Sequence, residues 1–297
     1  MDAIALAASV LYQLGTNGTF LLLSALGLIV ILGMMNIINL AHGELMMLGA
    51  YTATITVQRG VPFALAVPLA FLVVALFGIV LERLIVRRFY GRELGALVVT
   101  WGISLILSQG TLLLLGPFMP SIQIPGGSVA VGQYSFSDYW LILIALTAAI
   151  VAVLWWVYNR THFGLQARAT MQNAAMARAL GVNTDRVYML TFGLGAGLAG
   201  LSGALLAPTT SIAPFMGQQF VAPAFITVVV GGATNVITGA LGSSLILSLV
   251  RTPVGFLFGA FLGLVALLLA ALIIIRLMPD GISAWLQRRL DQRHRVA

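Results

Sequence analysis

Asn36, Asn39, His42 and Glu44 stand within MMNIINLAHGELMMLGAY, residues 34–51, where they interrupt two apolar runs. Polar and ionisable groups at membrane depth are costly and usually face a bundle interior or a water-filled path. His42 and Glu44 could act as acid and base. They are two residues apart, however, so on one helix they point in different directions, and pairing them requires unwound backbone. One reading of the stretch is a polar turn at a membrane mouth, with Asn and His capping helix ends. The other is a broken helix whose freed backbone groups line a translocation path. A second break is expected at 231–239, GGATNVITG, where Gly231, Gly232 and Asn235 sit between short apolar runs. Two discontinuous, Gly- and Asn-bearing segments in opposite halves point to a central site. The expected path residues are Asn36, Asn39, His42, Glu44, Gly231, Gly232 and Asn235, making the weak contacts of a conduit that must release what it receives.

Several other chemistries are excluded. Gly195-Ala-Gly197-Leu-Ala-Gly200 has the form of a dinucleotide fingerprint, which needs a preceding strand and an acid about 20 residues later. No Asp or Glu occurs between Asp185 and Asp280. The same region has small residues four apart, Gly193 to Gly197, Ala196 to Gly200 and Ala199 to Gly203. Gly193, Gly197, Gly200 and Gly203 are therefore expected to let neighbouring membrane helices approach closely. A P-loop requires Lys, and the chain has none. His42, His162 and His294 lie far apart without metal-site spacing, and Cys is absent, which removes thiolate chemistry and disulfides. No serine-hydrolase elbow occurs, and the acids sit almost entirely in loops. The chain is expected to have no catalytic residue, no metal and no cofactor of its own, and not to be an enzyme.

The elements that must position these residues are membrane helices. Of 297 residues 60% are hydrophobic and 8% charged, with a mean hydropathy of +1.05, against about 25% charged in soluble domains. Apolar spans are expected at roughly 14–38, 43–58, 62–86, 94–115, 139–159, 188–207, 219–233, 238–250 and 254–276, with 219–250 readable as one broken pair. An all-α polytopic bundle of eight or nine transmembrane helices follows, some of them discontinuous. The N-terminal MDAIALAAS has no basic region, so the first helix is expected to stay uncleaved.

The net charge of +7 comes from fifteen arginines gathered in a few short segments. Topology explains that better than nucleic acid, and no nucleic-acid partner is expected. Placing the segments around 83–92, 160–186 and 276–295 in the cytoplasm puts 13 of 15 basic residues inside, with Arg59 and Arg251 outside. Nine crossings, N-terminus outside and C-terminus cytoplasmic, satisfy this. Segment 116–138, with three prolines and no Arg, is then an external loop. Tyr134, Phe136, Tyr139 and Trp140 at one end of the next span, and Trp155, Trp156 and Tyr158 at the other, are expected to form interfacial belts.

Residues 160–187 form the long Arg-bearing interruption of the chain, and the loop is expected to be cytoplasmic. Within it, Leu165, Ala169, Met176, Ala179 and Leu180 recur near helical spacing, giving one short amphipathic helix over 164–181 that ends at Gly181. Its apolar positions are mostly Ala and Met, which suit a protein groove better than a lipid surface.

The loop GLQARATMQNAAMARALGVNTDRV, followed by TFGLGAGLAGLSGALLAP, resembles the coupling segment and following helix of permeases of branched-chain amino acid ABC transporters, the LivH-like family and its urea-permease relatives. NIINLAHGELMMLGAY, VVVGGATNVITGALG and the closing LMPDGI resemble the same family, and the likeness runs from about 20 to 282. The resemblance implies a single transmembrane permease domain over 1–297, of the type II class typified by the vitamin B12 importer. It implies a second, LivM-like permease, two ABC ATPases holding ATP and Mg, and a solute-binding protein. Gly164, Arg168, Ala169, Asn173, Ala174, Ala175 and Gly181 are then the ATPase-coupling positions. Branched-chain or other hydrophobic amino acids are the implied cargo in a bacterial inner membrane, with urea or short amides as the alternative to which TMQNAAMA and PFMGQQF lean. The rival from another class is a stand-alone secondary transporter or channel, for which Glu44 is the candidate buried acid.

Overall fold

In lipid every backbone N–H and C=O must find its partner within the chain, and a helix is the way a single span does this. The computed structural model, which describes residues 2–131, 134–232, 236–285 and 287, accordingly consists almost wholly of helices. These are α1 (Asp2–Met35), α2 (His42–Gln58), α3 (Phe63–Leu84), α4 (Glu93–Leu115), α5 (Asp138–Arg160), α6 (His162–Gln172), α7 (Ala174–Ala179), α8 (Thr184–Leu206), α9 (Gln218–Gly231), α10 (Val236–Phe258) and α11 (Ala260–Leu277). One two-stranded antiparallel ribbon, β1 (Ser128–Val131) with β2 (Tyr134–Ser137), lies in the expected loop 116–138 and pairs Ser128 with Ser137. Nine of the helices are the expected apolar ones. Among the described residues seven of them are long and apolar enough to cross a membrane, while α9, at 14 residues, and α2, at 17, fall short.

The chain divides by internal contacts into two compact units. One contains residues 1–25, 125–152 and 224–297. Its core joins Leu21 to Val230, Leu247, Leu267, Ala271 and Ile282, with α10 and α11 packed as a hairpin. The ribbon is held to α1 by Tyr12, whose hydroxyl donates to the Ser137 carbonyl at 3.1 Å and accepts from its N–H at 3.0 Å, and whose ring meets Phe136 edge-on. Phe136 and Tyr139 are thus buried in packing and do not form an interfacial belt, whereas Trp155 and Trp156 are exposed.

A second correction concerns the expected gap between spans 238–250 and 254–276. Pro253 removes one backbone donor, yet α10 runs through it to Phe258 and breaks only at Gly259, where φ is +95°. Pro is tolerated inside membrane helices because neighbouring groups re-satisfy the freed carbonyl. Arg251, expected in an external loop, therefore lies within a span.

The other unit contains residues 26–124 and 153–223. There α8 packs against α2 and α3, which also pack together. Small residues make this possible. A Cβ on Gly193 would stand 2.5 Å from Ile79 Cγ1, one on Gly197 2.8 Å from Phe71, and one on Gly200 2.6 Å from Val74. A Cβ on Gly203 would overlap the Met46 carbonyl, and one on Gly49 the Gly200 carbonyl. Ile31, Ile37, Val86, Ala96 and Phe192 form a further buried cluster.

Candidate functional site

The polar stretch between α1 and α2 is a true break. Asn36 ends α1 with φ +51°, a left-handed conformation that Asn tolerates, and its Nδ2 donates to Glu93 Oε1 at 2.7 Å. Asn39 makes a local turn, its Oδ1 accepting from the Ala41 N–H at 3.1 Å. The unwound backbone meets α4 here: the Leu40 N–H donates to Thr100 Oγ1 at 3.1 Å, and the Thr100 hydroxyl has the Leu97 carbonyl at 3.0 Å and the Ile38 carbonyl at 3.3 Å as acceptors. The segment is thus a turn of irregular backbone inside the unit, and α2 begins after Ala41 with no side-chain cap.

Asn36 is exposed, but Asn39, His42 and Glu44 are each at most 1% exposed. Ser108 donates to Glu44 Oε1 at 3.4 Å, while Glu44 Oε2, Asn39 Nδ2 and the Tyr51 hydroxyl are buried without a hydrogen-bond partner. A buried polar atom left unsatisfied costs about 1–3 kcal/mol. This region therefore holds hydrogen-bonding capacity that its own fold does not use. Sequence reading missed Tyr51, Thr100 and Ser108, because a lone hydroxyl in an apolar run is an ordinary helix residue until a neighbour from another helix faces it.

Gly231 and Gly232 belong to the other unit. Gly232 has φ +77°, and a Cβ there would stand 2.5 Å from the Asp280 carbonyl oxygen and 3.0 Å from Gly281 Cα; a Cβ on Gly231 would stand 2.8 Å from Gly239. Gly232 thus packs backbone to backbone against Asp280 and Gly281 of the LMPDGI segment. Asn235 lies outside the described residues.

The expected single helix over 164–181 is two. It breaks at Asn173, whose extended backbone (φ −157°) ends α6 and whose Oδ1 accepts from the Met176 N–H at 2.9 Å as the N-cap of α7. Asn competes with helical hydrogen bonding for its own local bonds, which favours a cap over a helix interior. The closing Gly181 has φ +87°, with the Gly181 N–H bonded to the Arg178 carbonyl and the Val182 N–H to the Ala177 carbonyl, both at 3.0 Å. That pairing is a Schellman motif.

The named positions in this segment do different things. Gly164 is buried, since a Cβ there would overlap the Tyr158 carbonyl, and Arg168 donates to that carbonyl and lies 5.1 Å above the Tyr158 ring. Both seat α6 on the end of α5. Arg178 donates to Thr184 Oγ1 at 2.9 Å, linking α7 to the start of α8. Ala169 and Ala174 are half-buried, while Asn173, Ala175 and Gly181 are exposed. The buried face consists of Gly164, Ala167, Thr170 and Ala177, so the larger apolar side chains point outward: Leu165 is 58% exposed, Met176 58% and Leu180 78%.

Beside this segment, Arg87 and Asp185 form an ion pair that joins the turn after α3 to the start of α8. With Arg83, Asn183, Arg186 and Met189 they line a cleft of about 340 Å³. Glu82 is buried and accepts from the Tyr90 hydroxyl; burial and that bond push the Tyr90 hydroxyl above its usual range. Neither Glu82 nor Tyr90 stood out in the sequence, where Glu82 fell near the end of the expected span 62–86 and Tyr90 in the Arg-rich segment around 83–92.

Comparison with known proteins gives these features a frame. The family model described as branched-chain amino acid transport system, permease component, matches residues 10–277. The high-affinity branched-chain amino acid transport system permease protein LivH of Escherichia coli K12 is 28% identical over 296 residues, covering 90% of this chain and 92% of its own. BraD of Pseudomonas aeruginosa, with the same description, is 28% identical over 248 residues, 78% of this chain and 81% of its own. The autoinducer 2 import system permease protein LsrD of Yersinia enterocolitica is 29% identical over 272 residues, 85% and 80% respectively. No solved structure matches the chain. With a family match spanning most of its length, borne by a polytopic all-helical membrane fold, this chain belongs to the permease components of branched-chain amino acid transport systems.

Proposed function

We propose that this chain is the membrane-spanning subunit of an ATP-driven ABC importer of branched-chain or other hydrophobic amino acids. It sits in a bacterial inner membrane with its N-terminus outside and its C-terminus in the cytoplasm. It pairs with a second, homologous permease, receives solute from a binding protein and is driven by two ATPase subunits that hold ATP and Mg.

The observation that carries this reading is the outward-facing apolar surface of α6 and α7. Leu165, Met176 and Leu180 are exposed on two short helices that are not membrane spans, flanked by Arg160, Arg168, Arg178 and Arg186. Apolar side chains facing away from the core on short helices that do not span suit a docking surface for protein. The segment is also stiff. Gly164 and Arg168 fasten it to α5, Arg178 fastens it to α8, and α8 is close-packed against α2 and α3. Displacement of α6 and α7 by a motor therefore reaches α2, which carries Glu44 and follows the break at Asn36 and Asn39.

In this mechanism ATP binding closes the motor subunits, the docked segments move with them, and access to the solute path alternates across the membrane. The path runs along Asn39, His42 and Glu44, where Asn39 Nδ2 and Glu44 Oε2 retain unused hydrogen bonds. Asn36 lies at its mouth; Gly231 and Gly232, which allow close backbone approach, and Asn235 are the path positions proposed in the other unit. The amino-acid cargo follows the names of LivH and BraD.

The test is co-expression with the partner permease and ATPases, followed by purification through a tag on this chain and assay of hydrolysis with solute-loaded binding protein. The wild type is expected to bring down an ATPase pair whose hydrolysis the loaded protein stimulates. Ala175→Trp is expected to lower that stimulation at least about tenfold, the equivalent of about 1.4 kcal/mol. Stimulation at the wild-type level in Ala175→Trp, or absence of any ATPase in the purified complex, would overturn the proposal.

A further inference from the structure

Arg251 lies in the span Ile237–Phe258. It is seven residues before the end of that helix, about 10 Å along the axis at 1.5 Å per residue. An arginine at such depth is rare, and ordinarily pairs with another group or marks a ligand pathway. Among the described residues no carboxylate forms an ion pair with Arg251, and its Nη1 is buried with no hydrogen-bond partner. What holds the guanidinium is the ring of Phe20 on α1, 5.6 Å from Cζ, which keeps it against a neighbouring helix. Adjacent polar groups are engaged elsewhere: Asn17 Nδ2 donates to Thr252 Oγ1 at 3.0 Å, and Ser248 Oγ donates to the Leu245 carbonyl at 2.9 Å.

We infer that Arg251 is a carboxylate-binding residue for the transported solute. The guanidinium presents a planar fork of donors that matches a carboxylate through two parallel bonds, and its charge favours an anionic group in a medium of low dielectric. The inference rests on the transport reading above and narrows it. An amino acid brings a carboxylate to this fork, whereas urea and short amides bring none. Arg251 therefore selects solutes bearing a free carboxylate and discriminates against neutral ones. The Phe20 ring beside it offers an apolar surface to the rest of such a solute.

The experiment uses the assembled transporter, this chain with its partner permease and ATPases, in nanodiscs and in proteoliposomes. Binding of leucine and of leucinamide is measured without binding protein, so that the permease alone chooses. Uptake of leucine is measured with the loaded binding protein. Wild-type complex is expected to prefer leucine over leucinamide. Arg251→Gln is expected to abolish that preference and to lower uptake about tenfold or more per assembled complex, the scale set by losing a charged hydrogen bond. Arg251→Lys, which keeps the charge but not the fork, is expected to fall between. An unchanged leucine preference in Arg251→Gln overturns the inference. So does uptake that falls only in step with the amount of assembled complex, the result expected if Arg251 serves packing or a lipid headgroup. Wild-type complex that takes up no amino acid sinks the transport reading itself, whereas wild-type uptake with an indifferent Arg251→Gln sinks Arg251 alone.

Discussion

Helix α8 and the pair α6–α7 are neighbours in sequence and share a vocabulary of Gly, Ala, Leu and Met, yet they bury opposite kinds of surface. In α8 nearly every residue from Thr191 to Leu206 is buried, and the glycines face backbone of α2 and side chains of α3. In α6–α7 the small residues Gly164, Ala167 and Ala177 are buried while Leu165, Met176 and Leu180 face outward. Small residues turned inward bring backbones together, and large apolar residues turned outward wait for a partner. On the proposed reading the same composition makes a rigid lever in one place and a handle in the other.

The sharpest way to break this comparison is Gly203→Leu. Its side chain would overlap the Met46 carbonyl, where backbone on both sides leaves no room to relax. Overpacking typically costs about 1–3 kcal/mol, and here the upper end or beyond is expected. The readout is loss of monodisperse protein on extraction together with a lowered melting temperature. The double change Met176→Asp with Leu180→Asp should do the opposite: wild-type extraction and melting, with ATPase association reduced at least about tenfold, or 1.4 kcal/mol. Equal loss of folded protein from both variants would erase the distinction between lever and handle.

Tyr90→Phe removes the hydroxyl that donates to buried Glu82, near the root of the lever. An unsatisfied buried acceptor costs about 1–3 kcal/mol, so thermal melting of the purified chain should fall while ATPase association persists. Alanine at Asn39 and Glu44 tests the path when uptake is counted per assembled complex, since both side chains are buried. Uptake should fall several-fold, and wild-type uptake would remove these residues from the path. Smallest of all, Asn173→Ala deletes the cap of α7, worth about 1 kcal/mol locally. It should raise amide exchange in residues 174–179 and leave global melting nearly unchanged.

How much was legible follows from the range of each interaction. Nine apolar runs appear as nine helices, and the glycine spacing of α8 could be read four residues apart, because both depend on neighbours within one helix. The break at Asn173 was not read, because Ala and Met on either side continue the helical pattern and only the cap geometry ends it. Pro253 and Arg251 together read as a loop. The helix continues through them because surrounding groups in the unit tolerate the missing donor and Phe20 receives the guanidinium. Glu82 with Tyr90 depends on the turn that follows α3, and Glu44 with Ser108 on a helix contact between residues far apart in the chain.

By itself the sequence determined that this is a helical membrane protein without a P-loop and with one helix built for close packing. Those properties follow from composition and short-range spacing, in a medium that leaves a solitary span no other way to satisfy its backbone. Only tertiary structure decided which face of α6–α7 is exposed, which buried polar atoms lack partners, and that Arg251 sits inside a span beside an aromatic ring. Each of these depends on what a distant segment places opposite a side chain, and no local pattern carries that.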